Sequence, residues 1–498
     1  MRNETSISPV ESPSPLLGLA SSPRWMRLRK NLGLVSALLA VSLVLVLTDL
    51  ILGPTLATAV LSLVTYVLLA VMLFRFEPVF FVLVFLFILG QFGAMLSGVL
   101  IESGVYVSEQ RRYGFVTGST VWLVLYTSFF LYAAFFLFQF FDTPRRAREL
   151  FRRFRVWRGA RLTIYLLLIV VLVVVFVGLL VNGSPLLEQR DRFSYWRTNS
   201  IPFLQPIHNQ LSTLIFAMGL AFPFAQGRTE RAGALLLLAA TLVYFVLQGE
   251  KYTALVQVLY SFALPFLMRT FATQVHRPSV KRALLIGLAI GGALTSLILY
   301  QYYSTHQASN PLTNLSQRIA LQGHVWWGAF EQHSAGTLPV APADQLANEL
   351  RSLLALRPAD SAPETGMTYL MRVVAPLDLV ERYRAQGIRF TMGYPAIGLV
   401  TLGHWGLFAL QLIAAILVVV VILVLLKGVR QANVLLAIVG YKLLNELNGV
   451  FGMGNLNELF SLKTLLYAAL ALAIVAVSRS YDSLAAAARA TQLRARKA

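Results

Sequence analysis

Residues 162–181 read LTIYLLLIVVLVVVFVGLLV, a run without a charged side chain or a proline. At about 1.5 Å per residue it makes a helix about 30 Å long, the thickness of a bilayer's hydrocarbon core. A chain in lipid must satisfy its own backbone N–H and C=O groups, so the run reads as a membrane-spanning helix. Similar runs recur on both sides of it. They cover Asn31–Leu52, Thr55–Phe74, Pro78–Leu100, Val116–Phe141, Ile207–Gln226, Gly233–Gln248, Tyr252–Met268, Ala283–Tyr302, Ile397–Leu426, Ala432–Val450 and Leu462–Val477. The fold class is therefore all-α: a polytopic integral membrane protein with about 12 transmembrane helices.

Composition agrees. Of 498 residues, 57% are hydrophobic and 13% charged, and the mean hydropathy is +0.68. A soluble domain carries about a quarter charged residues, so soluble, disordered and all-β classes are excluded. The net charge of +20 would suggest nucleic acid in a soluble chain. Here its position decides. With the N-terminus placed in the cytoplasm, about 27 of the 42 basic residues fall in inner segments, as the positive-inside bias requires. Arg145, Arg146, Arg148, Arg152, Arg153, Arg155, Arg158 and Arg161 form the densest of these, read as an anchor on anionic lipid. Both termini are then cytoplasmic, and no nucleic-acid partner is expected.

The organisation follows. Residues 1–30 read as a disordered, Ser- and Pro-rich cytoplasmic tail. Residues 31–302 hold spans one to nine with an outer loop at 182–206. Residues 303–394 form a large outer loop, 395–478 hold spans ten to twelve, and 479–498 form a basic cytoplasmic tail. A loop near ninety residues is uncommon unless it has a function. Apolar residues at three- and four-residue spacing predict amphipathic helices in it, around Asp344–Leu356 and Thr368–Arg384.

Four stretches carry candidate chemistry. LEQRDRFSYWRTNS places Arg190, Arg192, Tyr195 and Arg197 together. On a helix Arg190, Ser194 and Arg197 share a face, and paired guanidinium groups suit a pyrophosphate. The alternative is a solvated loop pairing with Glu188 and Asp191. GEKYTAL puts Glu250 and Lys251 at the mouth of two helices, either as a surface pair or as a proton acceptor and a phosphate-holding cation. NLSQRIALQGHVWWGAFEQH brings Arg318, His324, Trp326, Trp327, Glu331 and His333 within sixteen positions. The tryptophans read as interface anchors or as sugar-stacking planes. IRFTMGYPAIGLVTLGHWG is too rich in Gly and Pro for one unbroken helix, so the chain should enter the membrane through a broken segment lining protein or water; Arg389 and Tyr394 flank it. Lys442 and Glu446, one turn apart in the eleventh span, read as an offsetting pair or as a cavity site.

Other classes of chemistry leave no trace. There is no cysteine, hence no disulfide and no thiolate nucleophile or ligand. No Gly-rich phosphate loop, HExxH or DxD occurs, and His208, His276, His306, His324, His333 and His404 are scattered. No metal and no cofactor is expected.

The three stretches RDRFSYWR, RIALQGHVWW and GYPAIGLVTLGHWG, in that order between Leu162 and Leu426, resemble the oligosaccharide repeat unit polymerases, the Wzy-type O-antigen polymerases. The resemblance implies a GT-C-like glycosyltransferase of the bacterial inner membrane with its site facing the periplasm. It implies a growing undecaprenyl-pyrophosphate-linked glycan as donor and a second lipid-linked repeat unit as acceptor, with a chain-length regulator as partner. Arg190, Arg192, Arg197 and Arg318 match the family's basic positions. From the residues themselves, Lys251 and Arg389 join them as pyrophosphate ligands, Glu250 or His324 serves as base, and Tyr195, Trp326, Trp327 and Tyr394 meet the sugar. Two rivals remain open: an O-antigen ligase, distinguished by a lipid A core acceptor, and a polysaccharide or lipid transporter or flippase. Against transport stand a very short connection after the sixth span, Gly227–Ala232, and no evident internal repeat.

Overall fold

The structure, a computed structural model, describes residues 23–141, 156–188, 195–196, 201, 203–250, 252–273, 311–354 and 364–495. Among them, nine helices are long and apolar enough to cross a membrane, and the protein is an all-α multi-pass membrane protein. The predicted ninth span, the basic segment 142–155 and most of the first tail lie outside the described residues.

The run at 162–181 lies within a helix covering Arg158–Asn182. One stripe of it, Leu168, Leu172, Val175 and Leu179, is buried at alternating four- and three-residue steps, while Leu166, Val170, Val173, Val177 and Leu180 are exposed. A helix apolar on every side is stable only where its outer face meets lipid.

In chain order, α1 (Pro23–Leu52) and α2 (Leu56–Phe76) precede α3 (Pro78–Leu83) and α4 (Phe85–Glu102). A two-stranded antiparallel hairpin, β1 (Tyr106–Val107) and β2 (Arg112–Tyr113), leads to α5 (Ser119–Phe141). Next come α6 (Arg158–Asn182), α7 (Leu204–His208), α8 (Leu211–Ala221), α9 (Gly227–Leu247) and α10 (Tyr252–Thr273). The long loop contributes α11 (Pro311–Ala320), α12 (His324–Ser334), α13 (Pro342–Leu354), α14 (Gly366–Val374) and α15 (Leu377–Ala385). The chain closes with α16 (Tyr394–Arg430), α17 (Val434–Met453) and α18 (Leu462–Ala495).

Three expectations need correction. Residues 23–30 are helical rather than part of a disordered tail. The sixth span is not one helix: α7, α8 and a 3-10 turn at Phe222–Phe224 share it. Pro223 lacks the N–H that would carry the last turn onward. The second loop helix is split into α14 and α15, the break falling where Pro376 caps the second and forces its predecessor out of the helical region.

The predicted break in the tenth span is present and sharper than a kink. Gly403 has φ 66° and ψ −173° in the middle of α16. In a straight helix Tyr394 and Leu410 would stand about 24 Å apart, yet the Tyr394 hydroxyl lies 3.4 Å from the Leu410 carbonyl oxygen. A side chain at Gly398 would likewise meet Leu407 and Leu410. The segment Tyr394–Leu402 therefore doubles back along the residues after Gly403, and α16 is a helical hairpin followed by a span. At its base the Gly393 amide donates to the Gly452 carbonyl, 3.0 Å away.

The Lys442–Glu446 pair forms as expected, Nζ to Oε1 3.2 Å, with the lysine side chain 4% exposed. Lys463 at the start of α18 joins it at 2.7 Å. Two cations share one carboxylate, which lowers the cost of a charge that alone would take about 2.5–3.5 kcal/mol to insert.

Candidate functional site

Helix α12 is set against α4 by small residues. Ser97 Oγ donates to the Ala320 carbonyl and accepts from the Gly323 amide at 2.8 Å. A Cβ on Gly323 would come within 2.4 Å of the Ala94 carbonyl oxygen, so glycine alone allows this approach. The glycine of RIALQGHVWW thus delivers His324 to the α4–α5 connection.

There His324 is 1% exposed. Its Nδ1 lies 2.9 Å from the Leu321 carbonyl oxygen, which can only accept, so Nδ1 carries a hydrogen. Its Nε2 lies 2.8 Å from the Glu109 carboxylate, off the line of an ideal hydrogen bond. The Glu109 side chain is 16% exposed and forms the accessible face of the pair.

Two further groups converge on Glu109. The Tyr383 hydroxyl of α15 hydrogen-bonds to it, and burial together with the Glu109 charge raises the Tyr383 pKa. Arg318 of α11 lies within electrostatic reach of both. Although its side chain is exposed by accessible area, surrounding protein atoms lower its pKa, and Glu109 partly opposes that shift. Phe390 closes one wall, its ring 4.7 Å from His324 and 5.9 Å from Tyr383. Arg318 places a guanidinium charge beside the Glu109–His324 pair. A carboxylate that can exchange a proton beside a fixed guanidinium can bind an anion and accept a proton from a neighbouring hydroxyl.

Of the predicted residues, Arg318 and His324 meet here. Arg389 is exposed next to Phe390. Arg190, Arg192, Arg197 and Lys251 lie outside the described residues. Glu250 belongs to another group: His208 Nε2 is 3.9 Å from its Oε1, and the Tyr244 hydroxyl is 3.0 Å from His208 Nδ1.

The aromatic residues assigned to sugar are corrected by burial. Trp326 and Trp327 are 1% and 0% exposed. Their indole N–H groups donate to the Ser119 and Phe115 carbonyls at 2.8 and 3.2 Å, and Trp327 lies 4.5 Å beneath the Arg112 guanidinium. Tyr195, buried, packs edgewise on Trp196. Tyr394 is fully buried against Phe451. All four are packing residues in this conformation, since their ring faces meet protein.

Sequence reasoning missed Glu109 and Tyr383. The only local signal for Glu109 is an acid followed by two arginines, EQRR, on a short outer connection. Nothing in it names His324 as partner.

Close by, His333 has a ring 5.3 Å from that of His404, whose Nδ1 meets the Tyr126 hydroxyl at 2.6 Å. Burial lowers the His333 pKa below its ordinary value of 6.5. An unfolded imidazole takes up a proton as pH falls through about 6.5, whereas the folded one resists. The unfolded state then binds more protons, so stability falls as pH drops through that window. The melting temperature should fall between pH 7.5 and 5.5, and His333→Phe should flatten that fall; an unchanged slope would refute the assignment.

Residues 360–468 match the model of a family of unknown function, DUF6418. The match holds Tyr383, the Gly403 hairpin and the Lys442–Glu446 pair, and excludes Glu109, Arg318 and His324. No curated protein and no solved structure matches the chain.

Proposed function

We propose that this protein is a metal-independent membrane glycosyltransferase of the O-antigen polymerase type, which polymerises undecaprenyl-pyrophosphate-linked repeat units on the periplasmic face of the bacterial inner membrane. The observation that supports it best is the gathering of Arg318, His324, Glu109 and Tyr383 from three loop helices and one hairpin. Such a cluster offers what transfer from a pyrophosphate requires and little that passage of a substrate would need.

In this reading the acceptor hydroxyl oxygen attacks C1 of the donor sugar. A new C1–O bond forms as the C1–O bond to pyrophosphate breaks, and the electron pair leaves on the phosphate oxygen. Pyrophosphate is a good leaving group, so the main demand is a fixed positive charge where negative charge develops. Arg318 supplies it. The hydroxyl proton passes to the Glu109 carboxylate. Tyr383 and His324 keep that carboxylate from rotating, which preserves alignment. Glu109 then returns the proton to solvent through its accessible face. Glu109 thus replaces Glu250 as the base, and His324 becomes its partner.

Purified protein given an undecaprenyl-pyrophosphate-linked repeat unit should build a ladder of products. Arg318→Ala should lower kcat/KM for the donor by about tenfold or more, the value of a lost charge-assisted contact. Wild-type protein that forms no product, or an Arg318→Ala variant with normal kinetics, would defeat the proposal.

A further inference from the structure

The turn that carries Glu109 is held by little backbone structure. Strands β1 and β2 have two residues each, too few for a hairpin to be stable alone. Side chains must hold it, and two adjacent arginines do so in opposite directions. Arg111, at φ 54°, turns toward α15 and pairs with Asp378 in an exposed contact. Exposed pairs of this kind contribute little.

Arg112 is different. Its Nη1 donates to Glu331 Oε1 of α12 at 2.8 Å, and its Nη2 meets the other carboxylate oxygen. Its Nε and Nη2 also donate to Gln110 Oε1 at 3.1 and 2.8 Å. The plane of the group lies over Trp327, 4.5 Å from the ring, where a cation is attracted to the indole face. Gln110, gripped by its oxygen, donates from Nε2 to the backbone carbonyl of His324 at 2.9 Å. The residue after Glu109 is thus tied to the backbone of His324 itself, and the tie is aimed by Arg112.

We infer that Arg112 is a positioning residue: acting through Gln110, it holds the Glu109 carboxylate over His324. Only guanidinium geometry allows this, because one planar fork serves a carboxylate, an amide oxygen and an aromatic face together. A lysine at this position would keep the charge and lose the fork. The claim rests on the proposed transfer reaction only for its kinetic consequence.

The direct test is carbethoxylation of full-length protein in detergent with diethyl pyrocarbonate, which attacks accessible neutral imidazole nitrogen, read at His324 by peptide mass spectrometry. In the wild type Glu109 covers Nε2 and His324 should react slowly. Gln110→Leu leaves the Arg112–Glu331–Trp327 clamp in place and cuts the tie. Arg112→Lys loosens the clamp. Both should raise the His324 rate by about tenfold, the worth of one such hydrogen bond to a charged network, while His333 stays within about twofold. In the transfer assay, Arg112→Lys should lower kcat by about 100-fold with KM little changed, the pattern of a misaligned base.

If His324 is as unreactive in Gln110→Leu as in the wild type, or if Arg112→Lys keeps wild-type kcat, Arg112 is not a positioning residue. Should Arg112→Lys fail to fold, Gln110→Leu decides by itself. A wild type without transfer activity defeats the transferase reading and leaves the modification rates to settle Arg112.

Discussion

Glu109→Gln is expected to abolish most turnover, lowering kcat by about 10²- to 10⁴-fold, the contribution typical of a positioned general base. Glutamine is nearly isosteric and can still accept from Tyr383 and approach His324, so folding should be preserved. It cannot take a proton from an attacking hydroxyl. Because Arg318 is untouched, donor binding should persist, and the loss should appear in kcat rather than KM. The measurement is steady-state transfer at saturating donor alongside the melting temperature. Loss of activity with a collapsed melting transition would assign Glu109 to the architecture; activity within about tenfold of wild type would remove it from the chemistry.

The largest expected effect on stability falls at Gly403. Its φ of 66° with ψ of −173° lies in a region that only glycine occupies without strain. No neighbour stands within 4 Å of a Cβ built there, so the penalty of Gly403→Ala is conformational and not steric. It should cost about 1–3 kcal/mol. The strain is relieved if the hairpin opens toward a continuous helix, which would draw Tyr394 away from Leu410. Gly233→Ala provides the control: this glycine lies inside α9 with open space around its Cβ position, and alanine there should stabilise by about 0.5–1 kcal/mol. Thermal melts of the two variants should move in opposite directions. If both move upward, the hairpin does not depend on Gly403.

Much of the fold could be read from the sequence because lipid acts on composition directly. A charge-free run such as 162–181 has one stable form in a bilayer, and α6 covers it. The Lys442–Glu446 pair was legible for a related reason: two charges one helical turn apart in an apolar span have each other as the nearest solvent. Lys463 was not, since nothing local announces that α18 begins beside Glu446. The glycine-rich stretch foretold a break, but its reversal depends on side-chain contacts that spacing does not encode.

The site was legible only in part. Arg318 and His324 stood out by residue type, whereas Glu109 acquires its role from partners far along the chain. Gln110 and His324, which tie it in place, are separated by 214 positions. Trp326 and Trp327 misled for the converse reason. A tryptophan pair beside a predicted membrane boundary suggests an exposed plane, and only the docking of α12 between α4 and α5 shows both rings to be interior.

The contact between Ser97 and Ala320 spans 223 positions. At about 5–20 residues per second, a ribosome needs on the order of 10–45 s to make the intervening chain. Throughout that interval the surface of α4 around Ala94 and Ser97 has no α11–α12 connection to cover it, and the turn carrying Glu109 has no His324 to meet. The cluster around Glu109 therefore assembles late in biosynthesis, when the loop helices land.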